Sequence, residues 1–211
     1  MKKLLGLLLM AVFVLGVSCS SIQKNTQNET AVKQEISQEQ FAPFAVYVEN
    51  ASKDNHFAPS GWMGDYGDIK LNLASMEMPK SGRTCVKITY SAMTAQGAGW
   101  MGIFWQQPAN NWGDKKGGYN LTGAKKLTFW ARGANGGEKI AEFKVGGITG
   151  EYPDSDSQSM GPVELTKEWT QYTLDLTGKD LSYIIGGFAF SASKDDNPNG
   201  FVIYLDDIMF E

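Results

Sequence analysis

The stretch that decides the fold reads Leu127-Thr128-Phe129-Trp130-Ala131-Arg132, and its first, third and fifth side chains suit a protein core. A period of two is typical of a β-strand that buries one of its faces. The pattern therefore predicts that Thr128, Trp130 and Arg132 point away from the core.

Short stretches of the same kind recur from residue 43 to the end of the sequence, separated by Gly, Asn, Asp and Pro. No stretch keeps a helical period for three turns, so we expect almost no helix. The predicted strands are 43–49, 67–73, 84–92, 99–106, 125–132, 138–146, 169–176, 183–191 and 201–210. With 24 glycines available for turns, they predict an all-β fold, a two-sheet antiparallel β-sandwich of the jelly-roll kind.

The segment 134–137, Ala-Asn-Gly-Gly, lies between two of these strands. Asn-Gly readily takes the positive φ values of a hairpin turn, so the flanking strands are predicted to be antiparallel neighbours. In the second strand, alternation predicts that Ala141, Phe143 and Val145 are buried. Glu142 and Lys144 then face outward.

If the two strands are neighbours, their outward side chains form one patch of Trp130, Arg132, Glu142 and Lys144. An indole flanked by charged hydrogen-bonding groups suits a sugar, because the C–H face of the sugar stacks on the ring while its hydroxyls take polar contacts. The alternative is a solvated sheet face with a Trp that packs under a loop.

Other aromatic residues lie in turn-rich segments. Trp112 and Tyr119 belong to one polar loop, and Trp62 belongs to another, so all three are candidate ligand contacts. In the predicted strand 99–106, alternation places Trp100 on one side and Trp105 on the other. Because both sides are apolar, the sequence leaves open whether these two indoles belong to the core or to a site.

The N-terminus carries a targeting pattern. Lys2 and Lys3 precede an apolar stretch, residues 4–17, which is too short to span a bilayer and is typical of an export signal. Residues 15–19 read Leu-Gly-Val-Ser-Cys and resemble a bacterial lipobox. The resemblance implies that residues 1–18 are a lipoprotein signal peptide and that Cys19 is lipidated. An ordinary signal peptide cut near Ser18 is the alternative.

Residues 20–42 are rich in Gln, Asn, Ser, Thr, Glu and Lys, so 19–42 is predicted to be a lipidated cysteine with a flexible linker and 43–211 the folded domain. Acyl chains on Cys19 would anchor the protein to a membrane outside the cytoplasm, in the cell envelope. Ser20 stands where inner-membrane lipoproteins often have Asp, which favours the outer membrane in an organism that has one.

Composition limits the function classes. The 23 acidic residues outnumber the 19 Lys and Arg residues, which disfavours nucleic-acid binding. One histidine and two cysteines exclude zinc sites with several such ligands. We predict that the chain is not an enzyme. A polysaccharide-cleaving enzyme needs only two carboxylates, such as Glu142 with Asp154 or Asp156, and stays open as a less favoured alternative.

Four segments, 112–133, 165–176, 186–188 and 204–208, resemble in order and spacing the galactose-binding-like jelly-roll carbohydrate-binding modules. The resemblance implies a polysaccharide or oligosaccharide ligand. It also implies a structural calcium ion where the first and last strands meet, at positions matching Glu49, Asp206 and Asp207.

The sequence of the last strand gives an independent reason to expect a group that compensates a buried carboxylate charge at these positions. Residues 201–210 are apolar on both faces, so one of the two aspartates is expected to face inward, and its carboxylate needs a cation or hydrogen bonds. A hydrogen-bonded strand end is the alternative to calcium.

The sequence thus predicts a membrane-anchored, non-catalytic glycan-binding lipoprotein. An envelope protein-interaction or assembly lipoprotein with the same fold is the alternative. The sugar and the oligomeric state stay open.

Overall fold

The structure is a computed structural model that describes residues 41–211. Within that range the chain forms thirteen strands and one 3₁₀ turn, Tyr66–Asp68. The strands are β1 Phe44–Tyr47, β2 Ala58–Gly64, β3 Ile69–Ser75, β4 Cys85–Tyr90, β5 Trp100–Gln106, β6 Lys126–Gly133, β7 Lys139–Ile140, β8 Glu142–Gly146, β9 Ser157–Met160, β10 Val163–Glu164, β11 Thr170–Asp175, β12 Gly186–Ser193 and β13 Phe201–Phe210. In this part of the chain, no helix is long and apolar enough to cross a membrane.

All strand pairs are antiparallel, and they form two main sheets. The six-stranded sheet has the order β11-β6-β13-β4-β3, with β1 also paired to β13. The five-stranded sheet has the order β2-β5-β12-β8-β9. A small ribbon of β7 and β10 completes the structure described. The predicted all-β sandwich with almost no helix is confirmed.

An aromatic core joins the two sheets. Phe129 of β6 lies 4.6 Å from Phe143 of β8 and 5.1 Å from Phe188 of β12, between ring centroids. Trp105 of β5 lies 5.4 Å from Phe188 and is fully buried, so this indole belongs to the core. Burial of each such side chain stabilises the fold by roughly 2–3 kcal/mol.

The predicted hairpin between residues 125–132 and 138–146 is wrong. The turn with positive φ at Gly136 and Gly137 forms, but β6 pairs with β11 and β13, whereas β8 pairs with β12 and β9. The chain crosses from one sheet to the other at this turn. Alternation predicts which side of a strand is buried, and it carries no information about which strand lies beside it.

The other differences have local causes. The predicted strand 138–146 is interrupted at Ala141, which is exposed rather than buried. Phe143 and Val145 are buried as predicted. The segment around Trp62, predicted to be a loop, is strand β2, and the polar strand β9 was not predicted. Both are edge strands of the five-stranded sheet, and their alternation is weak.

The predicted signal peptide, residues 1–18, and the predicted lipidation site Cys19 lie outside the described residues, as does all of the predicted linker except residues 41 and 42.

Candidate functional site

The two outer faces of the sandwich divide the predicted patch. Trp130 and Arg132 point outward from the six-stranded sheet, where β13 and β11 flank them. Glu142 and Lys144 point outward from the five-stranded sheet. Because β6 and β8 meet across the core through Phe129 and its partner ring, their outward side chains point in opposite directions. The prediction of a single patch is therefore wrong.

The outer face of the six-stranded sheet is covered by the connection between β3 and β4, residues 76–84, which we call the strap. Glu77 forms an ion pair with Lys87 at 2.6 Å and accepts a hydrogen bond from the Tyr204 hydroxyl at 2.6 Å. The indole N–H of Trp169 donates to the carbonyl of Met78 at 2.9 Å. These bonds hold the strap against the sheet.

Arg132 of β6 lies between the sheet and the strap and contacts both. Its side chain is buried, with 8% of the residue exposed. The guanidinium carbon lies 3.9 Å from the ring centroid of Tyr204 and 5.3 Å from that of Trp169, and Nη2 donates to the Glu77 carbonyl at 3.1 Å. A stacked and hydrogen-bonded guanidinium of this kind stabilises packing.

Trp130 is covered in the same way. The ammonium of Lys80, a strap residue, lies 4.1 Å from the Trp130 ring centroid. It occupies the place at the indole face that a stacked sugar would need. This is the arrangement that the alternative interpretation described, a Trp that packs under a loop.

The residues implied as calcium ligands also contact the strap. The hydroxyl of Thr84 and the backbone N–H of Arg83 donate to the Glu49 carboxylate. These hydrogen bonds, from Thr84 first, lower the pKa of Glu49. Glu49 is therefore bound by hydrogen-bond donors of the chain itself.

Asp206 is fully buried, but under the strap rather than between the sheets. Its Oδ2 accepts the N–H of Lys80 at 2.9 Å and of Ser81 at 3.3 Å, and the Ser81 hydroxyl donates to Asp207 at 2.9 Å. Burial first, and then the charge of Asp207, raise the pKa of Asp206 to about 6.

Oxygen ligands are what calcium prefers, yet within residues 41–211 no three acidic, His or Cys side chains lie close enough together to hold a metal ion. The carboxylates of Glu49, Asp206 and Asp207 instead form the hydrogen-bonded arrangement that the sequence left open. Calcium at these positions stays a prediction.

The outer face of the five-stranded sheet is different, because it carries an apolar cluster separate from the core. Its buried members are Phe104, Ile148, Ile185 and Ala189, and the partly exposed Met63, Tyr152 and Tyr183 pack against them. The Trp112 ring packs perpendicular to the Phe104 ring, with centroids 6.0 Å apart and an interplanar angle of 88°. We call these eight residues the platform. Four of the eight residues are buried and four are at least partly exposed, and accessible apolar side chains on a sheet face can contribute to a binding site.

Trp112 is the most accessible aromatic side chain of the platform. It is 43% exposed, although it packs on Phe104. An indole that is held against a neighbouring ring and is nearly half exposed can receive a flat apolar group.

Glu142 and Lys144 border the platform. Lys144 pairs with Ala189, which pairs with Phe104 in turn, and Glu142 pairs with Ser191. Two strand spacings therefore separate the Lys144 and Phe104 backbones, about 10 Å. The Ala189 side chain that lies between them is small and buried, with 3% of the residue exposed. In the described part of the chain, neither Glu142 nor Lys144 forms an ion pair.

The remaining predicted contacts lie elsewhere. Tyr119 packs among Phe44, His56 and Phe57, with ring centroids 4.9, 5.6 and 5.3 Å away, and it contacts the main core rather than the platform. Trp62 pairs with Ile103, a core residue. It therefore lies on the core side of an edge strand and is partly exposed there.

Trp100 begins β5 on the same outer side as Phe104, opposite Ser193 of β12. It is 41% exposed, so it adds a second accessible indole to this face. The predicted division of β5, with Trp100 on one side and Trp105 on the other, is confirmed.

Sequence reasoning missed most of the platform. Met63, Ile148, Tyr152 and Tyr183 come from three separate segments, and no spacing in the sequence relates them. One signal was available: residues 189 and 191 on the outer side of β12 are Ala and Ser, and Gly186 also faces the platform, where an added Cβ would lie 2.8 Å from Phe104. A strand with only small side chains on one side indicates that other segments cover that side or that a ligand approaches it.

The groups that nucleophilic catalysis would need are engaged in the fold. Nδ1 of His56 lies 3.0 Å from the Ala45 carbonyl, and its ring stacks on Phe44 with centroids 3.7 Å apart. Burial raises the pKa of the Cys85 thiol to about 11, which disfavours the reactive thiolate.

The acids that a cleaving enzyme would pair with Glu142 are also engaged. Asp154 accepts the N–H of Ile148 at 2.8 Å, and burial raises its pKa. Asp156 forms an ion pair with Lys179 at 3.2 Å. Both carboxylates hold neighbouring loops in place.

Three solved structures of family 30 carbohydrate-binding modules are similar to this chain. One has a TM-score of 0.56 at 15% identity and covers 81% of this chain and 98% of that chain. The module of the cellulosomal cellulase Cel9D-Cel44B of Clostridium thermocellum has a TM-score of 0.54 at 14% identity, with coverages of 81% and 97%. A third has a TM-score of 0.54 at 15% identity, with coverages of 80% and 87%. No protein-family model matches the chain, and no curated protein matches it. The predicted jelly-roll fold of carbohydrate-binding modules is confirmed.

Proposed function

We propose that this chain is a non-catalytic glycan-binding protein and that the platform, with Glu142 and Lys144, is its binding surface. The observation that carries the proposal is the 43% exposed indole of Trp112, which packs on Phe104 on the sheet face that also carries Glu142 and Lys144. The fold shared with modules whose names describe carbohydrate binding supports the same function.

The chemistry of the surface matches a sugar ring. The C–H face of a sugar stacks on an indole, which buries apolar area without desolvating the hydroxyls. Glu142 accepts hydrogen bonds and Lys144 donates them, so the row can bind hydroxyls at the ring edge. Both charged groups stay partly solvated, which keeps their desolvation small.

The length of the face favours an oligosaccharide or polysaccharide over a single sugar. Trp100 and Phe104 point outward four residues apart on β5, about 13 Å along the strand. Trp112 extends the face beyond Phe104. A ligand that contacts both exposed indoles must therefore contain several sugar units.

A binding role without cleavage is supported by the engaged acids and by the family 30 names. Asp154 and Asp156 hold loops, and the single histidine packs in an aromatic cluster. Glu142 therefore has neither of those two acids free as a catalytic partner.

The lipid anchor completes the proposal. Lipidation of Cys19 places the domain on the outer surface of a membrane in the cell envelope, and in the outer membrane where the organism has one. The pattern at residues 15–19 supports it. Metabolic labelling with a palmitate analogue is expected to mark the wild-type protein and to miss Cys19→Ala; equal labelling of both would rule out the anchor.

Affinity electrophoresis tests the binding surface. Hydroxyethylcellulose is the first probe, since one similar module belongs to a cellulase, followed by a panel of other soluble polysaccharides. Trp112→Ala is expected to weaken retention by about tenfold or more. Trp130→Ala is the matched control and is expected to leave retention unchanged. Retention that survives Trp112→Ala and is lost in Trp130→Ala would overturn the proposal, and absence of retention on every gel would favour the protein-interaction alternative.

A further inference from the structure

We propose that Gln106 is a positioning residue that holds Trp112 in its ligand-binding place, through a buried hydrogen-bond relay with Ser60 and Asn111. The inference rests on the proposed function, because it assumes that Trp112 contacts the ligand. It assigns a role to buried polar side chains that neither the core nor the binding surface explains.

The relay begins at the end of β5. Gln106 is fully buried, which is unusual for an uncharged polar side chain unless its groups are satisfied. Its Nε2 donates to the backbone carbonyl of Asn111 at 2.9 Å, and its Oε1 accepts from the Ser60 hydroxyl at 2.9 Å. One side chain thus joins β2, β5 and the loop that carries Trp112.

Ser60 extends the relay to the next peptide. Its hydroxyl donates to Gln106 and accepts the backbone N–H of Asn110 at 2.8 Å. The Asn110 N–H and the Asn111 carbonyl flank the turn that leads directly into Trp112. Both backbone groups are therefore hydrogen-bonded to side chains of the sheet, and these bonds fix the backbone that precedes Trp112.

Asn111 fixes the backbone after Trp112. It is fully buried, its Nδ2 donates to the Lys115 carbonyl at 2.9 Å, and its Oδ1 accepts the Gly113 N–H at 3.0 Å. The Gly113 carbonyl accepts the Tyr152 N–H at 2.9 Å, which joins the loop to the platform.

Gly113 shows how closely the loop fits. Its φ is 85°, and a Cβ added to it would lie 1.9 Å from the Thr149 carbonyl oxygen. Only glycine is compatible with this approach and this backbone conformation. The backbone before Trp112 and the backbone after it are therefore each held in a single position.

The relay matters for binding because an exposed loop aromatic otherwise loses conformational freedom when a ligand stacks on it. A backbone held from both sides removes much of that loss. Trp112 is then preorganised on Phe104, and Gln106 acts on the ligand only through Trp112.

The test compares wild type with Gln106→Met, which keeps the size of the side chain and removes both hydrogen-bonding groups. Amide hydrogen exchange over residues 110–115 is expected to become faster by about tenfold, because a buried carbonyl loses its donor. The ¹⁹F signal of 5-fluorotryptophan at Trp112 is expected to broaden or shift. If Gln106→Met folds poorly, Ser60→Ala replaces it in the test. This smaller change removes one hydrogen bond of the relay and is expected to alter exchange and the ¹⁹F signal in the same direction.

A matched control separates positioning from general loosening. Asn197→Leu removes a buried amide that donates to the Lys139 and Ser193 carbonyls, in a loop that contributes nothing to the platform. This variant is expected to leave exchange at residues 110–115 and the Trp112 signal unchanged. Equal loosening of residues 110–115 in Asn197→Leu and Gln106→Met would overturn the positioning role.

A double-mutant cycle on hydroxyethylcellulose gels tests the link to binding. Gln106→Met is expected to weaken retention by about five- to tenfold in wild type and to have no further effect in Trp112→Ala. An equal loss in both backgrounds would contradict action through Trp112. If wild type binds no polysaccharide, the proposed function fails, while the exchange and ¹⁹F measurements still decide whether the relay positions Trp112.

Discussion

The two outer faces of this sandwich carry similar side chains and use them differently. On the six-stranded sheet, Trp130 and Arg132 are covered by the strap. On the five-stranded sheet, Trp112 is 43% exposed and packs on Phe104, and Glu142 and Lys144 lie on the same face of that sheet. An indole on the same sheet face as charged residues is therefore part of the packing on one side of the sandwich and is the proposed binding surface on the other. The segment that lies over the sheet decides which.

Arg132→Ala has the largest expected effect on this contrast. The change removes a buried guanidinium that stacks on two rings and donates to the strap. The free energy of unfolding is expected to fall by about 4 kcal/mol, measured by urea denaturation. Lys125→Ala, an exposed lysine of the segment preceding β6, is the control with little expected effect.

The retention of Arg132→Ala on polysaccharide gels is expected to match that of wild type at a temperature where the variant is folded. If Arg132→Ala kept full stability and lost retention, Arg132 would be a ligand contact and the assignment of the two faces would be reversed.

Asp206 makes the strap sensitive to pH. Its pKa is raised from 3.8 to about 6 in the folded state, so the folded protein binds a proton more tightly than the unfolded chain. The stabilisation is present below pH 4 and is lost as the pH rises through 6. It corresponds to about 3 kcal/mol. The stability difference between wild type and Asp206→Asn is expected to change by about that amount between pH 3 and pH 7.5, and a constant difference would contradict it.

Calcium changes this expectation in a measurable way. If the ion binds at Asp206 and Asp207, adding calcium at pH 7.5 raises the melting temperature of wild type and leaves Asp206→Asn unchanged. If neither protein responds to calcium or to EDTA, the calcium prediction is wrong and the hydrogen bonds of the strap alone compensate the carboxylate.

These contrasts show which features of the fold and of the candidate site could be predicted from the sequence. Alternation predicted the outward side of β5 and of β8 because a buried face repeats every second residue. It could not predict that Trp130 is covered, because the strap reaches it from about fifty residues away along the chain. The platform was missed for the same reason, since Tyr152 and Tyr183 meet only after the sheets have formed.

The charged row has the smallest expected effects. Glu142→Gln and Lys144→Met are each expected to weaken retention on hydroxyethylcellulose by about three- to tenfold, because partly solvated hydrogen bonds contribute about 1 kcal/mol. Stability is expected to change little, since neither side chain forms an ion pair among the described residues. Lys126→Met, whose side chain pairs with Glu211, is the matched control and is expected to leave retention unchanged.

An NMR titration tests the assignment of the two faces most directly. The chain has six tryptophans, and each indole N–H gives its own signal. During titration with a gluco-oligosaccharide released from a polysaccharide that retains the protein, the Trp112 signal is expected to shift with ligand concentration, while the Trp130 and Trp169 signals stay in place. Shifts at Trp130 and Trp169 with a constant Trp112 signal would contradict the account.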